Sequence, residues 1–243
     1  MGLNAYESKD MGCILGSTLR PGGFELTDRA MGFCKFSKGD CILDIGCGKG
    51  ATAEHLKKDF SVYSFGIDPS KVLIRQGKIK NPYLNIKEGR GEDIPFENES
   101  MDGVFAECTL SLMEDLPKTI KEAYRVLKKD GWFVITDVYA KNPEYINLLQ
   151  EFSFNSCMRG LHDMQKLKKS LEYSGFKIVL SEDHTDLLKK LMVKIIFKYG
   201  SMNVFWSKAA CCSTDCSGFQ EALSKCKVGY FLIIAKKGVN NHE

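Results

Sequence analysis

The sequence predicts an α/β fold in which a parallel β-sheet is covered by helices, and two observations support this. Short apolar segments alternate with segments of helical periodicity over the first 180 residues, which is typical of parallel strands joined by helical crossovers. A glycine-rich turn at 46–50 also follows the first apolar segment, where open α/β folds commonly bind ligands.

Seven apolar segments are predicted strands. They are residues 41–45, 62–67, 84–86, 103–106, 132–138, 176–180 and 228–235. Each is short and apolar, which is the pattern of strands that are buried on both faces. Seven strands are enough for a complete open sheet.

Helical periodicity fills the segments between the strands. Residues 117–129 begin with Pro117, which suits a first helical turn, and are followed by Asp130-Gly131, which ends the helix. After the sixth strand, apolar residues at helical spacing predict another helix over 187–199. We expect its apolar face to pack in the core.

Composition excludes several classes of protein. The chain has 243 residues, 44% of them hydrophobic and 27% charged, which is ordinary for a folded globular domain and unlike collagen or disordered chains. Its net charge of +3 is too small to indicate a nucleic-acid partner. No run of about 18 uncharged apolar residues predicts a membrane span.

Localisation and organisation follow from the same patterns. The N-terminal residues lack the apolar centre of a secretion signal, so we expect a cytoplasmic protein whose ten cysteines are reduced thiols. We predict a single domain over 1–243, with an N-terminal lid segment at 1–35 and a cysteine-containing insertion at 181–227 between strands six and seven. The sequence does not indicate the oligomeric state.

The glycine-rich turn carries the strongest chemical signal. Gly46, Gly48 and Ala51 have the spacing of a dinucleotide fingerprint, which leaves an NAD-dependent oxidoreductase open as an alternative. Asp68 lies at the end of the second strand, where a carboxylate can accept hydrogen bonds from both hydroxyls of a ribose. These features together indicate a cofactor that contains adenosine.

Asp44 favours a cationic cofactor over NAD. It precedes Gly46 by two residues, beside the position of a dinucleotide's pyrophosphate, and like charges about 4 Å apart repel by roughly 1 to 4 kcal/mol. S-adenosyl-L-methionine carries a sulfonium and an ammonium group, which a carboxylate attracts. The alternative is that Asp44 only caps the following helix or holds the loop.

Four segments in order resemble class I S-adenosylmethionine-dependent methyltransferases. Residues 43–50 are similar to the family's cofactor motif, and Gly66-Ile67-Asp68-Pro69-Ser70 is similar to its ribose-binding turn. Residues 89–102 resemble the adenine loop with the fourth strand, and 125–131 resemble the helix and turn before strand five. The resemblance is strongest over 36–140, and the small-molecule branch with ubiquinone-type and arsenite methyltransferases is the most similar.

The resemblance implies a Rossmann-like, mostly parallel sheet of order 3-2-1-4-5-7-6 with an antiparallel last strand and helices on both faces. It also implies a small-molecule acceptor and a cofactor that lies across the carboxyl ends of strands one to four. The residues assigned to cofactor binding are Arg20, Asp44, Gly46, Cys47, Gly48, Asp68, Pro69, Arg90, Gly91, Glu92 and Glu107.

Two of these residues leave alternatives open. Members of the family often have Asp where this chain has Arg90. Glu92 or Asp93 would then have to bind the adenine amine. Arg90 itself would stack on the base or remain a surface charge. Glu107, at the end of strand four, faces the cofactor's methionyl end or has an unrelated surface role.

Residues for the acceptor side are less specific. Arg20 is followed by Pro21 and two glycines, a segment that suits a lid in which Arg20 pairs with a carboxylate. The same segment is also consistent with a plain loop. Tyr139, His162 and His184 are candidates for orienting the acceptor or accepting a proton, since imidazole titrates near neutrality. The alternative, an ordinary packed or surface position, is the commoner one for such histidines.

The cysteines of the insertion suggest a further alternative. Cys211, Cys212, Cys216 and Cys226 could hold zinc or a thiophilic metalloid, because thiolates are soft ligands, and the chain would then be a thiol or metalloid methyltransferase or a thiol scaffold. They could also be redox-active or inert, because paired Cys-x-x-Cys spacing is absent. We therefore predict no metal.

Overall fold

The computed structural model describes residues 18, 20–153, 156–209 and 215–238. Seven strands form one sheet in the order β3-β2-β1-β4-β5-β7-β6. Their bounds are β1 Cys41–Ile45, β2 Tyr63–Asp68, β3 Ile86–Glu88, β4 Met101–Glu107, β5 Leu127–Ala140, β6 Phe176–Asp183 and β7 Val228–Lys237. The first five strands pair in parallel, and β7 is antiparallel to both β5 and β6. The predicted fold class and strand order are confirmed.

Eight α-helices lie in the described part of the chain. They are α1 Glu25–Cys34, α2 Ala51–Phe60, α3 Lys71–Lys80, α4 Leu116–Val126, α5 Met164–Tyr173, α6 Thr185–Tyr199, α7 Met202–Ala209 and α8 Cys216–Cys226. Short 3₁₀-helices span Leu110–Leu112, Pro143–Glu151 and Cys157–Arg159. Several helices start at a side-chain cap; Asp115, for example, accepts a hydrogen bond from the backbone N–H of Lys118, which satisfies an unpaired donor of the first turn of α4.

Strand alternation divides the core between the two faces of the sheet. In β5, Phe133 and Ile135 face the side covered by α4 and α5, whereas Val134 and Val138 face the side covered by α1, α6 and α8. Successive strand residues point to opposite faces, so an uninterrupted apolar strand needs helices on both sides. This packing explains why the strands read as apolar runs.

Several element boundaries differ from the sequence prediction, most clearly at α4 and at the third strand. The helix predicted over 117–129 ends at Val126, because Leu127 already pairs with Met101 of β4 and begins β5. Asp130 then adopts a left-handed conformation with φ of 63° inside the strand. The third strand is Ile86–Glu88 instead of 84–86.

The insertion predicted at 181–227 lies at the carboxyl end of β6. The strand itself extends to Asp183, and α6, α7 and α8 follow before β7 begins at Val228. The insertion is therefore a helical layer at the edge of the sheet where the first four strands also end.

Of the helices that the structure describes, none combines the length and apolar character needed to cross a bilayer.

Candidate functional site

A cavity of about 220 Å³ lies at the carboxyl ends of β1, β2 and β4. Asp44 is the penultimate residue of β1, while Asp68 and Glu107 are the last residues of β2 and β4. All three carboxylates line the cavity, and all three residues are buried. The sheet thus brings together three acidic residues that are far apart in the sequence.

The glycine-rich turn forms one wall of the cavity and is held against β2. The backbone N–H groups of Gly46 and Cys47 both donate to the carbonyl of Ile67, at 2.8 and 3.0 Å. Gly46 has φ of 72°, and a Cβ there would lie 2.0 Å from Oγ1 of Thr109. Gly48 has φ of 54°, but a Cβ there would meet nothing within 4 Å. The turn needs glycine at both positions, for space at the first and for conformation at the second.

Asp68 is oriented by backbone donors. Its Oδ2 accepts a hydrogen bond from the N–H of Gly48 at 2.9 Å, and its Oδ1 accepts one from the N–H of Ser70 at 2.8 Å. Pro69, the next residue, also lines the cavity. Two backbone hydrogen bonds fix the carboxylate at the cavity wall.

Arg20 and Glu107 form a buried ion pair in the wall of the cavity. Nη2 of Arg20 lies 2.9 Å from Oε2 of Glu107. Arg20 also donates to the hydroxyl oxygens of Thr27 and Thr52, at 2.7 and 2.9 Å, and both hydroxyls donate to the Glu107 carboxylate. The segment before α1 is thereby tied to the end of β4 and the start of α2.

Asp44 is the least exposed of these three residues. Burial raises the pKa of Asp44 well above its usual value of 3.8, and the negative charge of Glu107 raises it further, while Arg20 opposes the shift. A buried carboxylate with a raised pKa is stabilised in its ionised form by a positive ligand. The cavity is therefore suited electrostatically to a cation.

The loop after β3 forms another part of the cavity wall. Gly91 is buried, and a Cβ there would lie 2.9 Å from Thr119. Glu92 accepts a hydrogen bond from the N–H of Glu114 at 3.0 Å, and the exposed Arg90 pairs with the Glu114 carboxylate at 3.1 Å. Arg90, Gly91 and Glu92 all line the cavity.

Tyr139 and His184 lie outside the lining of this cavity. The hydroxyl of Tyr139 donates to Oδ2 of Asp183 at 2.7 Å, and Nε2 of His184 lies 3.0 Å from Oε2 of Glu182. Both side chains belong to the far part of the sheet, near the end of β6. Their role toward an acceptor stays a prediction.

His162 is buried behind the cavity. Its Nε2 lies 3.4 Å from Oδ2 of Asp137, a carboxylate that is completely buried in β5. Asp137 also accepts hydrogen bonds from the N–H and the hydroxyl of Ser111, at 2.9 and 2.8 Å. Asp137 and His162 thus support the 3₁₀-helix beside the cavity, and the proposed proton-accepting role of His162 stays a prediction.

Sequence reasoning missed several residues of the site. Thr27 and Thr52 complete the network around Arg20, and a threonine within an amphipathic helix gives no signal of such a role. Asp137 could have been found, because it is a lone carboxylate in an apolar strand. Cys108, in a left-handed conformation with φ of 58°, also lines the cavity.

The cysteines of the insertion form no described metal site. Cys211 and Cys212 lie outside the described residues. Cys226 is completely buried in the core, and Cys216 packs against that core. The seven cysteines in the described ranges form no disulfide with one another, and those ranges contain no cluster of three or more His, Cys, Asp or Glu side chains that could hold a metal.

Comparisons with known proteins agree with the geometry of the site. Residues 43–135 match the family model of a methyltransferase domain. YrhH of Bacillus subtilis, whose name places it among the methyltransferases, is 35% identical over 123 residues, which cover 47% of this chain and 68% of that protein. Phosphoethanolamine N-methyltransferase 3 of Arabidopsis thaliana is 27% identical over 179 residues, or 70% of this chain and 36% of that protein. This chain thus spans about a third of the length of such larger relatives.

A solved structure shares the whole fold. Phosphoethanolamine N-methyltransferase 2 of Haemonchus contortus, solved in complex with S-adenosyl-L-methionine, superposes with a TM-score of 0.71 at 21% identity, over 97% of this chain and 56% of that one. The comparisons do not support the oxidoreductase alternative, and the narrower ubiquinone-type or arsenite branch stays a prediction. Family model, relatives and strand order agree: the chain belongs to the class I S-adenosylmethionine-dependent methyltransferases.

Proposed function

We propose that this protein transfers the methyl group of S-adenosyl-L-methionine to a small-molecule acceptor by in-line displacement. The observation that carries the proposal is the convergence of Asp44, Asp68 and Glu107 on one cavity beside the glycine turn. Three carboxylates and one arginine in a buried site leave an excess of negative charge. A cofactor with a positive sulfonium and a positive ammonium suits that charge.

The residues of the cavity fit this cofactor. Asp68, held by two backbone donors, would accept hydrogen bonds from the ribose hydroxyls. Asp44 and Glu107, with Arg20, would bind the charged methionyl end. The open space over Gly48 admits a ligand close to the backbone.

The adenine would lie against the loop after β3. Gly91 and Glu92 supply backbone and carboxylate groups there, and Arg90 supplies a planar cation at the rim. Cys47 and Pro69 would contact the ligand through their backbone and ring atoms. All eleven cofactor-binding residues expected from the sequence line the cavity, which supports these assignments.

When bound, the cofactor supplies a methyl group activated by its positive sulfur. The chain's own contribution is to align the acceptor and exclude water, which for well-oriented reactants is worth about 7 to 11 kcal/mol. An acceptor whose nucleophilic atom is already anionic needs no general base. Tyr139, His162 and His184 lie outside the described lining of the cavity, and their roles toward the acceptor stay predictions.

Calorimetric titration with S-adenosylhomocysteine tests the proposal. We expect micromolar binding by the unaltered chain and its loss in Asp68→Ala, because the ribose contacts are removed. The matched control is Asp59→Asn, an exposed carboxylate of α2 outside the cavity, which should bind normally. Absence of binding by the unaltered protein, or equal binding by Asp68→Ala, would contradict the proposal.

A further inference from the structure

A second cavity, of about 380 Å³, lies between α6, α7 and α8, beside the carboxyl end of β5 and the amino end of β7. Its interior is apolar and rich in methionine. Five side chains that line it also line a smaller neighbouring cavity of about 50 Å³; they are Met158, Leu188, Met192, Met202 and Trp206. The volume of the larger cavity is within the range of small-molecule sites.

The smaller cavity leads toward the proposed cofactor site. Cys108 lines both the small apolar cavity and the cavity with the three carboxylates. Pro21, which follows Arg20 directly, lines the small cavity from the N-terminal side. The small cavity therefore borders both of the others, because it shares Cys108 with the cofactor side and five lining residues with the larger apolar cavity.

Three lysines line the larger cavity, the one of about 380 Å³. They are Lys141 after β5, Lys189 on α6 and Lys227 before β7. Nζ of Lys141 lies 3.1 Å from Oδ2 of Asp183, whereas no carboxylate of the described residues forms an ion pair with Lys189 or Lys227. No Asp or Glu is among the described lining residues. This region is positively charged, although the whole chain carries a net charge of only +3.

The surrounding side chains suit an apolar group with a polar end. Methionines adapt their shape to irregular apolar ligands. The indole N–H of Trp206 already donates to Oε1 of Gln220 at 3.1 Å, so the ring offers apolar surface without an unsatisfied donor. Lysines beside an apolar wall pack their methylene stems there and keep their ammonium groups at the water-facing end.

We infer that the acceptor is an amphipathic anion: its apolar part lies among Met192, Trp206 and their neighbours, and its anionic group lies between Lys189 and Lys227. This inference rests on the proposed function and adds the chemical class of the acceptor. It orients the molecule, because the anionic group stays at the lysines and the apolar end approaches Cys108. The nucleophilic atom of the acceptor then lies at the end away from the charge, where it bonds to the methyl carbon as the carbon–sulfur bond breaks and S-adenosylhomocysteine leaves.

Fluorescence of Trp206 provides the assay. The chain has two tryptophans, so Trp132→Phe leaves Trp206 as the single reporter within the lining of the cavity. The probes are decyl phosphate, decanol and decyltrimethylammonium, each kept below its micelle-forming concentration. We expect decyl phosphate to bind at least about ten-fold more tightly than decanol, since only the phosphate is attracted by the lysines, and shorter alkyl phosphates to bind progressively more weakly.

A pair of double variants locates the charge effect. Lys189→Met with Lys227→Met should remove the preference for phosphate while it leaves decanol binding unchanged. Lys190→Met with Lys194→Met removes the same charge from exposed positions of α6 that do not line the cavity, and should keep the preference. Calorimetry on the chain without the Trp132→Phe change should give the same ranking.

Each other outcome overturns the inference: equal affinity for the three probes, preference for the cation, a phosphate preference that survives loss of Lys189 and Lys227, or no binding. The assay needs no methyl transfer. Binding of S-adenosylhomocysteine without binding of decyl phosphate would overturn this inference alone. Binding of decyl phosphate without binding of S-adenosylhomocysteine would overturn the proposed function.

Discussion

The guanidinium of Arg20 lies 2.9 Å from the carboxylate of Glu107, and their side chains are only 5% and 1% exposed. The hydroxyls of Thr27 and Thr52 bridge the same two charges. Because water is excluded, each charge depends on the other for compensation. The pair therefore holds the segment before α1 at the cavity.

Loss of Arg20 should destabilise the fold strongly. Arg20→Met leaves the Glu107 carboxylate buried and uncompensated near Asp44, and we expect a loss of about 3 to 5 kcal/mol in the free energy of unfolding. The double variant Arg20→Met with Glu107→Gln should recover most of this loss. Urea unfolding monitored by circular dichroism measures both.

An exposed pair is the control. Arg29 pairs with Glu182, and the Arg29 side chain is 47% exposed, so Arg29→Met should cost no more than about 1 kcal/mol. Equal losses for Arg20→Met and Arg29→Met would show that burial of the first pair has no energetic consequence.

Asp44→Asn should stabilise the ligand-free protein while it weakens cofactor binding. The pKa of Asp44 is raised in the folded state, so its stabilising contribution is complete below the unfolded value near 3.8 and is lost as pH rises through the folded value. Near neutral pH we expect the variant to gain about 1 to 2 kcal/mol, the usual size of a stabilising change at a functional site. Thermal unfolding with and without S-adenosylmethionine measures both effects, and lower stability of the variant would contradict this prediction.

Cofactor affinity should rise with pH. A positive ligand beside Asp44 lowers its pKa relative to the free protein, so binding releases a proton between the bound and free pKa values. In that interval the affinity for S-adenosylmethionine should increase by up to about ten-fold per pH unit. Calorimetry in two buffers of different ionisation enthalpy counts the released protons. Asp44→Asn should show no such release, and proton uptake by the unaltered chain would exclude the mechanism.

The two glycines of the turn should respond differently to alanine. Gly46→Ala places Cβ 2.0 Å from Oγ1 of Thr109, so we expect severe destabilisation and little soluble protein. Gly48→Ala meets no neighbour and should cost about 1 to 2 kcal/mol for its left-handed conformation, while its methyl group occupies cavity space and weakens binding of S-adenosylhomocysteine. Urea unfolding and calorimetry separate the two effects; unaltered binding by a folded Gly48→Ala would show that the ligand lies elsewhere.

The sequence was sufficient to predict the fold and the carboxylates of the cavity. Strand ends are readable from apolar runs, and parallel strands of one sheet end at the same edge. Asp68 and Glu107 close such runs and Asp44 is the penultimate residue of one, so their proximity follows from the strand order. The predicted helix at 117–129 extended too far, because Leu127 joins β5 through a long-range pairing that no local pattern reports.

Side-chain partners were harder to predict. Tyr139 is directed toward Asp183 because Gly229 of β7 lies between them without a side chain; a Cβ on Gly229 would lie 2.3 Å from the ring of Tyr139. Thr27 joins the site through Arg20 and Glu107. Such relationships depend on distances between separate elements, which periodicity and spacing do not contain.

The position of β7 affects how the molecule assembles. It follows β6 in the chain but lies between β5 and β6, so β6 has no partner in the sheet until β7 has formed. Since α6, α7 and α8 connect these two strands, the walls of the lysine-lined cavity are completed in the same late event. We expect a nascent chain that has emerged only as far as α8 to hold the cofactor half of the sheet without a finished compartment for the acceptor, and to expose an unpaired strand edge to other molecules.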